Sequence, residues 1–338
     1  MSGGLRAVAL GGGHGLAASL QALRRLTDAV TAIVTVADDG GSSGRLRASY
    51  GMLPPGDLRM ALAALAGSSP QASLLRDAFQ HRFPAENVPH GGYAGLGGHP
   101  VGNLLLAGLL QHTQDPVLAL ETMGRLLELP ESTRVLPMST EPLDITAEVA
   151  GLAPGGGTVT VRGQVEVATT RGRVVTVQLL PPDPASCPEA LAAIETADVL
   201  VLGPGSLFTS LLPHLLLPEL RKAVTASAAR RILVLNLMAQ PGETDGFSPE
   251  SHLEVLGALV PELSLDWVVA DSGAVGYAEQ AKRGLMDGLH AAADALGARV
   301  HLASLTRDGS PGVHDTAALA GAIRSVVEAE GFEAGVDR

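Results

Sequence analysis

Residues 35–47 read TVADDGGSSGRLR, so two aspartates, three glycines, two serines and two arginines follow directly on an apolar run. Asp38 and Asp39 can hold a divalent cation, while Ser42, Ser43, free backbone N–H groups and Arg45 suit a phosphate. An Asp-Gly turn with capping serines is the plain alternative. A second stretch, GGGHG, places Gly11, Gly12, Gly13, His14 and Gly15 between an apolar run (7–10) and a helical pattern (16–26). Glycines let a ligand approach the backbone, and a helix start offers N–H groups and the positive end of its dipole. The stretch departs from the GxGxxG fingerprint and lacks the GK[ST] of a P-loop. By itself it fits tight strand-to-helix packing equally well.

A third stretch, GPGSLFTS, repeats the logic with Gly203, Gly205, Ser206, Thr209 and Ser210 after another apolar run. Two glycine turns bearing hydroxyls, each at a strand end, point to a nucleotide diphosphate held between them. NLMAQPGETDG adds Asn236, Gln240, Glu243 and Thr244, suited to a base or a sugar, or else to a capped turn. His99 and Asn103 in HPVGN can hydrogen-bond a ligand or cap the helix that follows. Asp57, after Pro54-Pro55-Gly56, reads as a helix N-cap. No stretch nominates a nucleophile or a general base.

These turns need strands and helices to position them. Short apolar runs alternating with Ala/Leu-rich amphipathic stretches predict an α/β fold with a mostly parallel sheet. Strands are expected at 7–10, 32–37, within 197–206 (a strand running into a glycine turn), 230–238, 264–272 and 299–305, with a helix at 249–259. Between 134 and 182 the period changes to two, predicting a β-rich insertion of antiparallel strands. Residues 1–330 then form one domain carrying that insertion, with 331–338 a tail. At 338 residues and 46% hydrophobic the chain can bury a large core. Its 23 basic against 35 acidic residues argue against a nucleic-acid partner. The single cysteine, Cys187, excludes an internal disulfide framework. Without a signal-peptide pattern or a long apolar run, a cytoplasmic protein with no membrane contact is expected.

Taken together, ALGGGHGL, TVADDGGSSGRLR, PPGDLRMAL, GHPVGNLLLAGL, VLPMS, ADVLVLGPGSLFTSLLPHLL and NLMAQPGETDGFSPESH resemble the gluconeogenesis factor family, the YvcK-type branch of the CofD-like proteins. The likeness runs from about residue 8 to about residue 316. It implies a Rossmann-like three-layer fold and a UDP-N-acetylglucosamine-type ligand held by the residues named above. It also implies a regulatory role in cell-wall precursor supply and cell shape, with glucosamine-6-phosphate synthase as a partner. No cofactor is firmly implied, and a homo-oligomer is left open. The related CofD branch implies the alternative: transfer of a phospholactyl group from a guanylylated donor with Mg2+. Two positions depart from the family pattern. His14 stands where a threonine is usual, and Val313 stands where an arginine precedes His314-Asp315.

Overall fold

The computed structural model describes residues 4–84, 95–153, 156–240, 244, 247–273, 279–310 and 312–329. The strands are β1 (Ala7–Gly11), β2 (Val30–Val34), β3 (Arg134–Pro137), β4 (Asp144–Ala150), β5 (Thr158–Arg162), β6 (Arg173–Leu180), β7 (Val199–Leu202), β8 (Arg230–Val234), β9 (Trp267–Asp271) and β10 (Arg299–Ala303). Helices α1 (Gly13–Leu23), α2 (Gly41–Tyr50), α3 (Pro55–Leu65), α4 (Pro70–Gln80), α5 (Val101–Thr113) and α6 (Pro116–Leu126) precede β3. Helix α7 (Gln164–Ala168) lies between β5 and β6, and α8 (Pro188–Glu195) leads into β7. The second half carries α9 (Leu212–Leu216), α10 (Pro218–Ala226), α11 (Pro249–Leu259), α12 (Glu279–Ala295) and α13 (Thr316–Glu328).

The main sheet runs β10-β9-β8-β7-β1-β2-β3, and every neighbouring pair is parallel. Strands β1 and β7 are buried along their whole length, as central strands covered on both faces must be. That is why they read as unbroken apolar runs. Helix α1 packs on α3 and α13, while α10 packs on α8 and α9, completing a three-layer α/β architecture. No described helix is long and apolar enough to cross a membrane.

The β-rich region is present but smaller than its period-2 pattern predicts. Strands β5, β4 and β6 form an antiparallel sheet, whereas β3, read as its first strand, pairs in parallel with β2 at the edge of the main sheet. A four-residue strand carries too little pattern to show its partner. The run at 158–169 is also interrupted, because the chain turns at Gly163 into α7. The strand expected at 32–37 lies at Val30–Val34. Helix α3 starts at Pro55 with Pro54 as N-cap, so Asp57 lies in its first turn and is not the cap. Proline at N1 suits a helix start because its missing N–H has no partner to lose.

Candidate functional site

The strand order reverses direction between β1 and β7, the switch point at which open parallel sheets leave a crevice beyond their carboxyl ends. The GGGHG and GPGS turns meet there. A Cβ at Gly15 would lie 2.2 Å from the Pro204 carbonyl oxygen and 2.9 Å from the Gly205 Cα. Only glycine allows that approach. Ser19 on α1 donates to the Gly203 carbonyl at 2.7 Å, bracing one turn against the helix that begins in the other. The N-cap of α1 is Gly12, which has no side chain to cap the helix, and the Asp57 carboxyl takes the Gly13 N–H.

Asn236 holds Gly205 from both sides, accepting its N–H and donating to its carbonyl, each at 2.8 Å. Its amide is therefore a clamp on the turn. Ser206 accepts the Thr209 N–H at 2.9 Å and starts the π-helical turn Leu207–Leu211, in which Thr209 and Ser210 are buried. Thr244 is fully buried; its hydroxyl accepts the Gln240 N–H at 2.8 Å and its N–H donates to the Gln240 carbonyl at 2.9 Å. Glu243 lies outside the described residues.

Beside the two turns opens a cavity of about 500 Å³, walled by His14, Gly15, Gly205, Gln240, Arg307 and Val313 among others. Arg307 reaches this wall because its N–H donates to the Val313 carbonyl at 2.8 Å, next to a β-bridge joining Thr306 and His314. Another cavity, of about 410 Å³ at the amino-terminal end of β3, is lined by Glu121, Arg125 and Arg134 and by none of the motif residues.

The acidic stretch folds differently from its reading as a pair. Asp38 accepts the Gly40 N–H at 2.9 Å, whereas Asp39 accepts the Val165 N–H at 2.9 Å and so anchors α7. The two carboxylates thus serve different partners, one inside its own turn and one in the β-rich region. Asp57 also lies near Asp38, whose proton affinity the charge of Asp39 raises. A Cβ at Gly56 would meet Asp38 Oδ2 at 2.8 Å, and one at Gly12 would meet Asp57 Oδ2 at 2.5 Å, so the two acids flank one junction. Burial, then the charge of Asp38, push the Asp57 carboxyl up to about 7; the Gly13 N–H and Arg59 oppose the shift. Burial also raises Asp38, against hydrogen bonds from Gly40 and Ser43. Among the described residues no group of three or more His, Cys, Asp or Glu could hold a metal.

A buried polar chain runs outward from this junction. Ser42 Oγ meets His99 Nδ1 at 2.8 Å, Asn103 donates to the same hydroxyl at 2.9 Å, and Arg59 donates to Asn103 at 2.9 Å. Arg45 donates to the Gly97 carbonyl at 2.9 Å. His99 and Asn103 are thus joined to Ser42, as one cluster would require. Sequence reasoning missed Arg59, Arg307 and the acid pairing of Asp57, although PPGDLR was in view.

Known proteins match both sequence and fold. The family model described as 2-phospho-L-lactate transferase CofD matches residues 7–305. The "Putative gluconeogenesis factor" of Mycobacterium tuberculosis (strain ATCC 25618 / H37Rv) is 50% identical over 320 residues, 94% of this chain and 89% of that protein. The "Gluconeogenesis factor" of Halalkalibacterium halodurans is 42% identical over 249 residues, 74% of this chain and 72% of that protein. A crystal structure of a upf0052 family member from Bacillus halodurans superposes with a TM-score of 0.80 at 34% identity, covering 95% of this chain and 99% of that one. The chain belongs to the gluconeogenesis factor family of CofD-like proteins.

Proposed function

We propose that this protein is a cytoplasmic regulator that binds a nucleotide sugar of the UDP-N-acetylglucosamine type and ties carbon metabolism to cell-wall precursor supply and cell shape. The observation that carries the reading is the contact between the GGGHG and GPGS turns at the switch point, beside the cavity of about 500 Å³. Beyond the Gly13 N–H that Asp57 takes, the first turn of α1 offers backbone donors to a diphosphate, and the cavity gives room for the remainder of the ligand. Arg307 brings a guanidinium to the wall that Val313 leaves apolar, so the missing family arginine has a substitute close by. Glucosamine-6-phosphate synthase is the protein partner that the family resemblance implies.

Asp38 and Asp57 favour a second reading, a CofD-type transferase. Two half-buried carboxyls, with the charge of Asp38 raising the proton affinity of Asp57, present an oxygen donor set that suits a divalent cation. Such a cation supplies charge stabilisation to a transferring phosphoryl group. In either reading Asp57 also holds the Gly13 N–H at the start of α1.

Melting temperature measured against UDP-sugars, GDP and GTP, each with and without magnesium, tests both. Stabilisation by UDP-sugars regardless of magnesium supports the regulator. Stabilisation by guanine nucleotides only with magnesium supports the transferase.

A further inference from the structure

The outer end of the polar chain gathers positive charge. Arg82 is fixed by a β-bridge to Pro100 and donates to the Gly98 carbonyl, while Arg45 donates to the preceding carbonyl, that of Gly97. A Cβ at Gly98 would lie 3.1 Å from Arg45 Nη2, so both guanidiniums flank this residue. Arg59 is buried, 8% exposed, and donates to the neutral Asn103. His99, buried beside them, is held neutral by burial and then by the charges of Arg45 and Arg82.

Among the described residues none of these three arginines pairs with a carboxylate. Elsewhere arginines do: Arg6 with Asp198, Arg47 and Arg162 with Asp144, and Arg221 with Glu262. The chain carries a net charge of −12, so acids are plentiful. Arg59 makes no ion pair among the described residues, and the repulsion of Arg82 outweighs the pull of either the Asp57 or the Asp38 charge, so the buried guanidinium is left short of counter-charge. Each guanidinium has five N–H donors, and one bond to a carbonyl leaves a fork able to grip an anion. The contacts from Gly12 through Asp57, Asp38, Ser43 and Ser42 place the acid pair between this cluster and the glycine turns.

We propose that Arg45, Arg59 and Arg82, with Ser42 and Asn103 beside them, form a second anion site for the phosphate of a small phosphomonoester. The site is separate from the one that holds the nucleotide sugar's diphosphate. It reassigns Arg45 from that diphosphate to a second ligand, either an effector or the acceptor side of a transfer reaction. Phosphate is favoured over a carboxylate because three guanidiniums gathered at one place match its double charge and several oxygens.

The probe is inorganic phosphate at constant ionic strength, with thermal melting of wild type, Arg82→Gln and Arg45→Gln in the presence and absence of saturating UDP-N-acetylglucosamine. Both substituted side chains are exposed, so the variants should fold. Phosphate should raise the wild-type Tm by about 2 °C or more. The rise should be the same with the nucleotide sugar bound and should vanish in both variants. No shift, a shift that survives both substitutions, or a shift abolished by the nucleotide sugar overturns the proposal. A protein that responds to phosphate and ignores UDP-N-acetylglucosamine supports this site and overturns the nucleotide-sugar reading.

Discussion

Replacing Asp57 with asparagine should make the protein less sensitive to a rise in pH from about 5 to about 8. Asparagine keeps an oxygen for the Gly13 N–H but has no charge to set against Asp38. Burial, then the charge of Asp38, pushes this carboxyl from an ordinary 3.8 up to about 7 in the fold. A carboxyl raised in the native state favours folding while protonated, so its contribution is full below the unfolded value and is lost as pH rises through the folded one. Linkage puts the loss between about pH 5 and about pH 8 at no more than about 3 kcal/mol. Partial access to water and sharing of the proton with Asp38, whose own shift has the same sign, bring the expected loss to about 1–2 kcal/mol. Urea unfolding of wild type and variant at both ends of that range measures it. The difference between the two proteins cancels other titrating groups, including His214, which burial pulls down to about 4 and which therefore loses stability as pH falls from 6.5. Parallel pH profiles for the two proteins would refute the placement of Asp57 beside a second carboxylate.

Arg307→Ala removes an exposed guanidinium from the cavity wall, so melting should hardly change. UDP-N-acetylglucosamine binding, followed by calorimetry, should weaken by about 1.5–3 kcal/mol. Gly15→Ala sets a methyl 2.2 Å from the Pro204 carbonyl oxygen and must force the two turns apart. Urea melts should show about 1–3 kcal/mol of destabilisation together with lost ligand response. Asn236→Ala strips both bonds from Gly205, and the same melts should register a loss of about 1–3 kcal/mol. Normal stability in that variant would show that the turn holds itself.

Much of this fold was legible because fully buried strands leave a plain mark. The apolar runs at β1 and β7, each ending in glycines, stand where the parallel sheet has them, and the helix expected at 249–259 is α11. The strand pattern around 135 was legible too, but not its partner: alternation shows that a strand has two faces, and register with β2 is a long-range fact. Within the site, the sequence groups Asp38 with Asp39 because they are adjacent, yet their hydrogen bonds go to Gly40 and to Val165, 126 residues away from Asp39. Asp57 reaches Asp38 only after α2 has folded back, which no local spacing encodes. Asn236 and Thr244 illustrate the opposite case. Their polar groups suit a ligand equally well on paper, and the structure gives them to the backbone.

The most direct test of the central claim is calorimetric titration of the protein with UDP-N-acetylglucosamine in excess chelator. If the glycine turns and their cavity hold a nucleotide sugar for regulation, binding is saturable with one ligand per chain and keeps its affinity without divalent metal. Absence of binding, or binding that disappears on chelation and returns with magnesium, contradicts that account and leaves the Asp38–Asp57 transferase reading in its place.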